Sequence, residues 1–106
     1  MTVVRHFEEA IDATRHTATP FLVVDETVMA RNIARLQAEC DAAGVGLRPH
    51  IKTHKSSAIA RMQLDAGAIG VTCATLSEAI ALGEAGCTTD VYVSTPIYFD
   101  MPKRRL

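Results

Sequence analysis

The sequence lacks tryptophan, has few aromatic residues and carries almost no net charge, and each of these absences excludes a class of partner. Aromatic residues make up 5% of the 106 residues, too few for the stacking platforms that bind single-stranded nucleic acid. A net charge of −1 provides no broad positive field for nucleic acid or anionic membranes. No apolar run approaches the roughly 20 residues that span a bilayer, and charged residues interrupt the N-terminus, which excludes a signal-peptide core. We expect a cytoplasmic, soluble protein with no nucleic-acid or membrane partner.

Cysteine is also scarce. The three cysteines, Cys40, Cys73 and Cys87, are odd in number and show no CxxC spacing. This pattern indicates buried or free thiols in a reducing compartment rather than a disulfide framework or a zinc site. We therefore predict no metal ligand in this chain.

Hydrophobic spacing and turn residues predict alternating helices and strands. The first long helix has Asp25 or Thr27 as its candidate cap, and the second has Ser56 or Ser57. The third helix begins with Thr75 and Glu78, which have the spacing of a capping box. The predicted order is helix 3–13, strand 21–24, helix to 43, strand 47–52, helix to 66, strand 69–74, helix 75–85, strand 90–95, and a further helix opening at Asp100. The strand 69–74 is small and β-branched throughout, which is typical of burial on both faces.

This βαβαβ order is typical of an α/β fold with a parallel sheet and helical crossovers. A closed (β/α)₈ barrel needs roughly 250 residues. We therefore expect the chain to be part of a larger protein. The alternative is a small complete α/β domain with a basic tail.

The stretch 47–55, LRPHIKTHK, contains five basic side chains. Strand alternation places Arg48, His50 and Lys52 on one face and Pro49 with Ile51 on the other. Lys52 would then stand at the carboxyl end of a parallel strand, where such folds place reacting groups. Burial and positive neighbours favour its neutral, nucleophilic amine, which can form a Schiff base with a carbonyl or with pyridoxal phosphate. The alternative is an exposed edge strand with a solvated basic face.

The neighbours of Lys52 have weaker functional interpretations. His50 either lines a cofactor ring or makes a structural polar contact. Arg48 lies one layer deeper, where an ion pair with a carboxylate outside these 106 residues is the simpler expectation. His54, with Thr53, starts the loop and is a candidate cofactor or substrate contact, whereas Lys55 is expected to be a solvated loop charge. Three hydroxyl residues near later strand ends are candidates to face the pocket: Thr72, Ser94 and Thr95.

Several segments occur in the order found in one enzyme family. They are TPFLVVD at 19–25, Asn32-Ile33, RPHIKTHK at 48–55 and GVTCATLSEA at 70–79. Together they resemble the N-terminal part of the D-threonine aldolase and D-serine dehydratase family, in the alanine-racemase-like (fold type III) group of pyridoxal phosphate enzymes. The resemblance implies the N-terminal portion of a (β/α)₈ TIM-type barrel, incomplete in this chain. It implies an N-terminal helix and linker at 1–19, a strand at 20–25 that joins a C-terminal β domain beyond this chain, and the barrel at 26–106.

The resemblance also implies a site and an activity. Lys52, not Lys55, would be the catalytic residue that holds pyridoxal 5′-phosphate, with His50 also binding the cofactor. The activity would be a lyase reaction on β-hydroxy D-amino acids, either aldol cleavage to glycine and an aldehyde or dehydration to pyruvate and ammonia. A full-length homodimer, and a divalent metal with ligands outside this chain, are further expectations.

Other activities remain open from the residues. They are a fold type III racemase, a non-catalytic pyridoxal-phosphate-binding homeostasis protein, and an interaction domain without cofactor. We expect the 106 residues alone to be inactive and poorly stable, because the edges of the sheet would be unpaired.

Overall fold

The structure is a computed structural model that describes residues 14, 15, 17–88 and 90–96, together with the backbone of residues 2–4. The chain forms two compact units, Met1–Leu36 and Gln37–Leu106. We describe each unit separately.

The first unit contains two short parallel strands, β1 (Thr2–Val4) and β2 (Val23–Asp25). Thr2 is in register with Val23, and Val4 is in register with Asp25. The predicted helix over 3–13 is therefore wrong at its start, because Val3 and Val4 pair with β2 instead. β-branched residues fit a pleated strand well, and this backbone pairing overrides the local helical spacing. Residues 5–13 lie outside the described residues.

The first helix, α1, covers Glu26–Ala42. Asp25, rather than Thr27, caps it, since the backbone N–H of Val28 donates to Asp25 Oδ1 over 2.9 Å. The helix ends as predicted before Gly44, whose φ of +68° is the left-handed conformation that glycine adopts without strain.

The second unit is built on two parallel strands, β3 (Val71–Cys73) and β4 (Val91–Val93). Val71 is in register with Val91, and Cys73 with Val93. Both lie inside the predicted strands 69–74 and 90–95. The helix predicted to open at Asp100 lies outside the described residues.

The stretch 47–51 runs parallel to β3 on the edge opposite β4. His50 is bridged to Thr72, because the Ile51 N–H donates to Thr72 O over 2.9 Å and the Thr72 N–H donates to Pro49 O over 2.8 Å. The predicted strand 47–52 is thus realised as one bridge rather than a full ladder. Proline has no N–H to extend the pairing, and at Lys52 the chain already turns.

Two short helices connect these strands, α2 (Ser57–Asp65) and α3 (Leu76–Glu84). Ser56, rather than Ser57, caps α2, accepting the N–H of Ile59 over 3.3 Å. The capping box predicted from Thr75 and Glu78 is present at the start of α3. Both caps lie at the carboxyl ends of strands, so α2 and α3 point their N-termini toward the same edge of the sheet.

The core lies between the helices and one face of the sheet. It is formed by Ile51, Val71 and Cys73 from the sheet side with Ala60 and Leu82 from the helices, all buried. The other face carries mainly polar residues: Arg48, His50, Thr72, Tyr92 and Ser94. Burial of 69–74 is therefore one-sided, unlike the prediction. Thr72, on the polar face, is half-buried, whereas Val71 and Cys73 on the core face are fully buried.

Candidate active site

The candidate site lies on the polar face at the carboxyl edge of the sheet. Lys52, Ala74 and Ser94 each follow directly or almost directly after a pairing segment. Because the segments are parallel, their carboxyl ends meet at one edge. Reacting groups in parallel α/β folds lie at this edge.

His50 connects the edge residues through both of its ring nitrogens. The backbone N–H of Lys52 donates to His50 Nδ1 over 3.2 Å. On the other side of the ring, Nε2 lies 3.4 Å from Ser94 Oγ. Ser94 in turn donates from Oγ to the carbonyl of Cys73 over 3.2 Å. One imidazole therefore spans from the lysine turn to the end of β4.

The turn that carries Lys52 is closed by backbone hydrogen bonds. The N–H groups of His54 and Lys55 both donate to Ile51 O, over 3.2 and 2.8 Å. Lys52 is exposed, and within the described part of the chain its amine has neither an ion pair nor a hydrogen bond. The backbone of this lysine is fixed, whereas its amine is available.

Lys55, the competing lysine, is engaged elsewhere. Its Nζ lies 3.6 Å from Glu78 Oε1, with side-chain exposures of 69% for Lys55 and 13% for Glu78. Its φ of 47° is unusual for a side-chain-bearing residue and lets the turn lead into the cap of α2. Lys55 is therefore a largely solvated loop charge, as expected, and its ammonium group also faces the capping carboxylate of α3.

Glu78 accepts hydrogen bonds from the end of β3 and faces Lys55. The sequence predicted only its capping role. Its Oε2 accepts the N–H groups of Ala74, over 2.8 Å, and Thr75, over 3.4 Å. The Ala74 N–H is the main cause that lowers the pKa of the Glu78 carboxyl; burial opposes this shift, and Thr75 and Lys55 add to it. Glu78 thus ties the end of β3 to the start of α3.

His54 contacts the start of α2. Its Nδ1 accepts the N–H of Ser56 over 3.1 Å, so in the neutral ring the hydrogen is on Nε2. Nε2 and Gln63 Oε1 are both buried without a hydrogen bond of standard geometry among the described residues. Burial lowers the pKa of His54, and the neighbouring Gln63 partly offsets this. The structure does not place this side chain with Lys52.

Arg48 has its partner inside the chain, contrary to the expectation of a carboxylate outside it. Arg48 Nη1 lies 2.7 Å from Asp90 Oδ1 and also donates to Asp90 O over 3.2 Å. The guanidinium crosses over Gly70, where an added Cβ would lie 2.2 Å from Nη1. The close approach over Gly70 was not predicted, although a glycine inside a strand pattern signals such an approach.

Of the other hydroxyl candidates, Thr72 donates from Oγ1 to Arg48 O over 3.2 Å, and Thr95 donates to Ala74 O. Both therefore bind backbone. Thr53 is exposed. The structure brings together Lys52, His50 and Ser94.

A separate cleft of about 420 Å³ lies beyond the turn, near the N-termini of α2 and α3. Its lining includes Lys55, Ser57, Thr75 and Glu78 but neither Lys52 nor His50. The cleft is a neighbour of the candidate site and not the site itself.

Among the described residues, no three His, Cys, Asp or Glu side chains are grouped to hold a metal ion. Within the same residues, no helix is long and apolar enough to cross a membrane.

The geometry of a parallel sheet with a lysine at its carboxyl edge agrees with the result of comparison with known families. The family described as alanine racemase, N-terminal domain, matches residues 24–103. The chain belongs to this family. The resemblance drawn from RPHIKTHK and the accompanying segments is confirmed, and so is the α/β fold at the start of a TIM-type barrel.

Among curated proteins, the chain is 51% identical over 74 residues to D-threo-3-hydroxyaspartate dehydratase of Delftia sp. strain HT23, covering 70% of this chain and 20% of that protein. It is 40% identical over 79 residues to D-threonine aldolase of Arthrobacter sp, covering 74% and 21%. It is 35% identical over 80 residues to 3-hydroxy-D-aspartate aldolase of Paracoccus denitrificans, covering 74% and 20%. The chain therefore spans about a fifth of the length of these relatives.

Solved structures show the same relationship. The dehydratase from Delftia sp. HT23 matches with a TM-score of 0.73 and 47% identity, over 78% of this chain and 22% of that one. D-threonine aldolase from Filomicrobium marinum matches with a TM-score of 0.64 and 37% identity, over 74% and 22%. A variant of the dehydratase has been solved in a metal-free form.

Proposed function

We propose that this chain supplies the lysine-bearing part of a pyridoxal-phosphate-dependent lyase that acts on β-hydroxy D-amino acids. The observation that carries the proposal is the amine of Lys52, which is unpaired within the described residues and stands on a closed turn at the carboxyl edge of a parallel sheet. This is the edge at which α/β barrels perform chemistry.

The residues fit pyridoxal phosphate. The group needs a primary amine to hold its aldehyde, and polar groups that orient its ring. Lys52 provides the amine, and His50 provides an imidazole whose two nitrogens are both oriented by neighbours. Lys55 is a poorer candidate because its ammonium already faces Glu78. The geometry therefore supports the assignment of Lys52 over Lys55.

In this proposal the cofactor, when bound, supplies the electron sink for breaking bonds at the substrate Cα. Lys52 would hold the cofactor through its primary amine. His50 would line the cofactor ring, and its Nδ1 accepts the backbone N–H of Lys52.

The substrate class is supported by the names of the relatives, which act on D-threonine or on the D-forms of 3-hydroxyaspartate. All of these are β-hydroxy D-amino acids. Aldol cleavage of the Cα–Cβ bond would give glycine and an aldehyde. Dehydration would remove the Cα proton and the β-hydroxyl, and hydrolysis of the product would release ammonia and a keto acid, which is pyruvate for D-serine.

The experiment that tests the cofactor site is chemical trapping in the full-length protein. The protein is incubated with pyridoxal phosphate, reduced with borohydride and digested, and the labelled peptide is mapped. Label is expected at Lys52. Lys52→Arg should abolish it, whereas the matched control Lys55→Arg should retain it. Wild-type protein without label at Lys52 would disprove the assignment.

The activity itself is tested on a substrate panel. The same holoenzyme is assayed with D-threonine, D-serine and D-threo-3-hydroxyaspartate, with aldehyde and keto-acid products measured separately. Each assay is repeated after chelation and re-addition of a divalent metal, since we propose a metal bound by ligands outside this chain. Racemisation without either product would instead favour a racemase.

We infer that the segment 20–25, of which only Val23–Asp25 forms a strand, joins a C-terminal β domain. The support is the exposure of its apolar side chains, since Leu22 is 71% and Val23 is 48% exposed. Limited proteolysis of the full-length protein tests this inference. The segment should be protected in the full-length protein, and cleavage there at the rate of an unfolded chain would contradict it.

We further infer a cytoplasmic homodimer with no nucleic-acid or membrane partner. The net charge of −1 provides no field for nucleic acid, and the three free thiols suit a reducing compartment; the homodimer follows from the family resemblance. Fractionation and light scattering of the full-length protein are the direct measurements, and recovery in a membrane fraction or as a monomer would contradict the inference.

A further inference from the structure

Ser94 and His50 form a directed chain of hydrogen bonds that ends on the backbone of Lys52. The Lys52 N–H donates to His50 Nδ1, so this nitrogen accepts with its lone pair and carries no hydrogen. In a neutral imidazole the hydrogen must then be on Nε2, which lies 3.4 Å from Ser94 Oγ. The Ser94 hydroxyl uses its own hydrogen on Cys73 O, so its lone pairs are available to accept from Nε2.

The donor and the acceptor of every hydrogen bond in this series are therefore determined. Lys52 N–H donates to the ring, the ring donates to Ser94, and Ser94 donates to the carbonyl of Cys73. Removal of the hydroxyl would leave Nε2–H without this acceptor, and the ring could rotate about its side-chain torsions. The Lys52 N–H would then lose the oriented lone pair that holds it.

From this geometry we propose that Ser94 is a positioning residue that holds the His50 ring and, through it, the backbone from which the Lys52 amine projects. The consequence for cofactor capture rests on the function proposed above, whereas the positioning of the backbone does not. Ser94 is exposed and lies just after β4, so its truncation removes no core packing.

The test is residue-resolved amide hydrogen exchange in the full-length protein. Ser94→Ala should speed exchange of the Lys52 N–H by about tenfold, the scale of one lost hydrogen bond. The Lys55 N–H, held by Ile51 O, should be unchanged and reports that the turn remains folded. Ser94→Thr, which keeps a hydroxyl, should restore slow exchange.

Two further variants separate positioning from general loosening. Thr95→Val removes the neighbouring hydroxyl, which bonds Ala74 O rather than His50, and should leave Lys52 exchange unchanged. In His50→Asn, the Asn Oδ1 replaces Nδ1 as a local acceptor for the N–H two residues on. Ser94→Ala should then have no further effect. Unchanged Lys52 exchange in Ser94→Ala, or equal acceleration at Lys55, would overturn the proposal.

The second measurement is the rate at which borohydride traps pyridoxal phosphate on Lys52. Ser94→Ala should slow capture several-fold with the same final amount of label. If wild-type protein takes no label but amide exchange responds as expected, the proposed function fails and the positioning role stands. If label forms at Lys52 at equal rates in wild type and Ser94→Ala, the positioning role in cofactor capture fails.

Discussion

Replacement of Gly70 by alanine tests how the polar face of the sheet is built at its amino end. An added Cβ would lie 2.2 Å from Arg48 Nη1 and 2.7 Å from the backbone oxygen of Asp90. The guanidinium can swing away, but the Asp90 oxygen cannot move freely, because it accepts the Val71 N–H that joins β3 to β4. Gly70→Ala must therefore displace Arg48 and strain the strand pairing.

The expected cost follows from these two parts. Overpacking against backbone costs about 1–3 kcal/mol. Loss of the Arg48–Asp90 contacts adds about 0.5–1 kcal/mol, at the low end because Asp90 is 62% exposed. We expect Gly70→Ala to lower the free energy of unfolding by about 1.5–4 kcal/mol in urea titrations of the full-length protein. Gly83→Ala is the matched control, since its Cβ would meet no described atom within 4 Å, and alanine in a helix should stabilise by about 0.5–1 kcal/mol.

A double-mutant cycle identifies the cause. Arg48→Ala removes the guanidinium that a new Cβ would meet, so Gly70→Ala should cost about 1 kcal/mol less in that background. Additivity within about 0.5 kcal/mol would refute the close approach of Arg48 over Gly70. A stabilising Gly70→Ala would refute the strain at the Asp90 oxygen as well.

Three further predictions concern the groups behind the turn. Glu78 has a pKa below its ordinary value of 4.5, so its contribution to stability is complete above pH 4.5 and is lost as the pH falls through the folded pKa. In Glu78→Gln the free energy of unfolding should therefore depend less on pH across that acid range than in the wild type. Because the pKa of His54 is depressed below 6.5, the free energy of unfolding should decrease as the pH falls from about 6.5 toward the folded pKa. His54→Asn keeps an acceptor for the N–H of Ser56, which caps α2, and should remove this pH dependence. An unchanged pH dependence in His54→Asn would contradict the prediction. Cys73 is fully buried, and burial raises its pKa, so native-state thiol labelling should modify it far more slowly than half-buried Cys87; equal rates would show that the core opens.

Local features of this fold were predictable from the sequence, and distant pairings were not. The capping box at Thr75 and Glu78 follows from two residue types at one spacing, since a cap is completed within one turn. The partner of Arg48 is 42 residues away, and no local pattern contains that information. The N-terminal valines were misassigned for the same reason, because pairing with β2 decides their conformation.

The candidate site shows the same division. Alternation along 48–52 predicted that His50 and Lys52 share one face, but the strand pairing ends at His50 and the chain turns at Lys52. The link from His50 to Ser94 depends on which strands are neighbours and on their register, which sequence spacing does not specify. Likewise, the ion pair between Lys55 and Glu78 depends on how the N-termini of α2 and α3 lie relative to each other, which sequence spacing does not specify.

The closed turn at Ile51–Lys55 has a consequence for the encounter between amine and cofactor. With the backbone held at both His50 and Ile51, the amine of Lys52 explores only the small volume that its own side-chain torsions allow. A tethered group confined in this way acts at a high effective concentration toward any aldehyde bound within its reach. A mobile backbone would dilute the same amine over a larger volume, so the rigidity of five residues favours recapture of the cofactor over its loss to solvent.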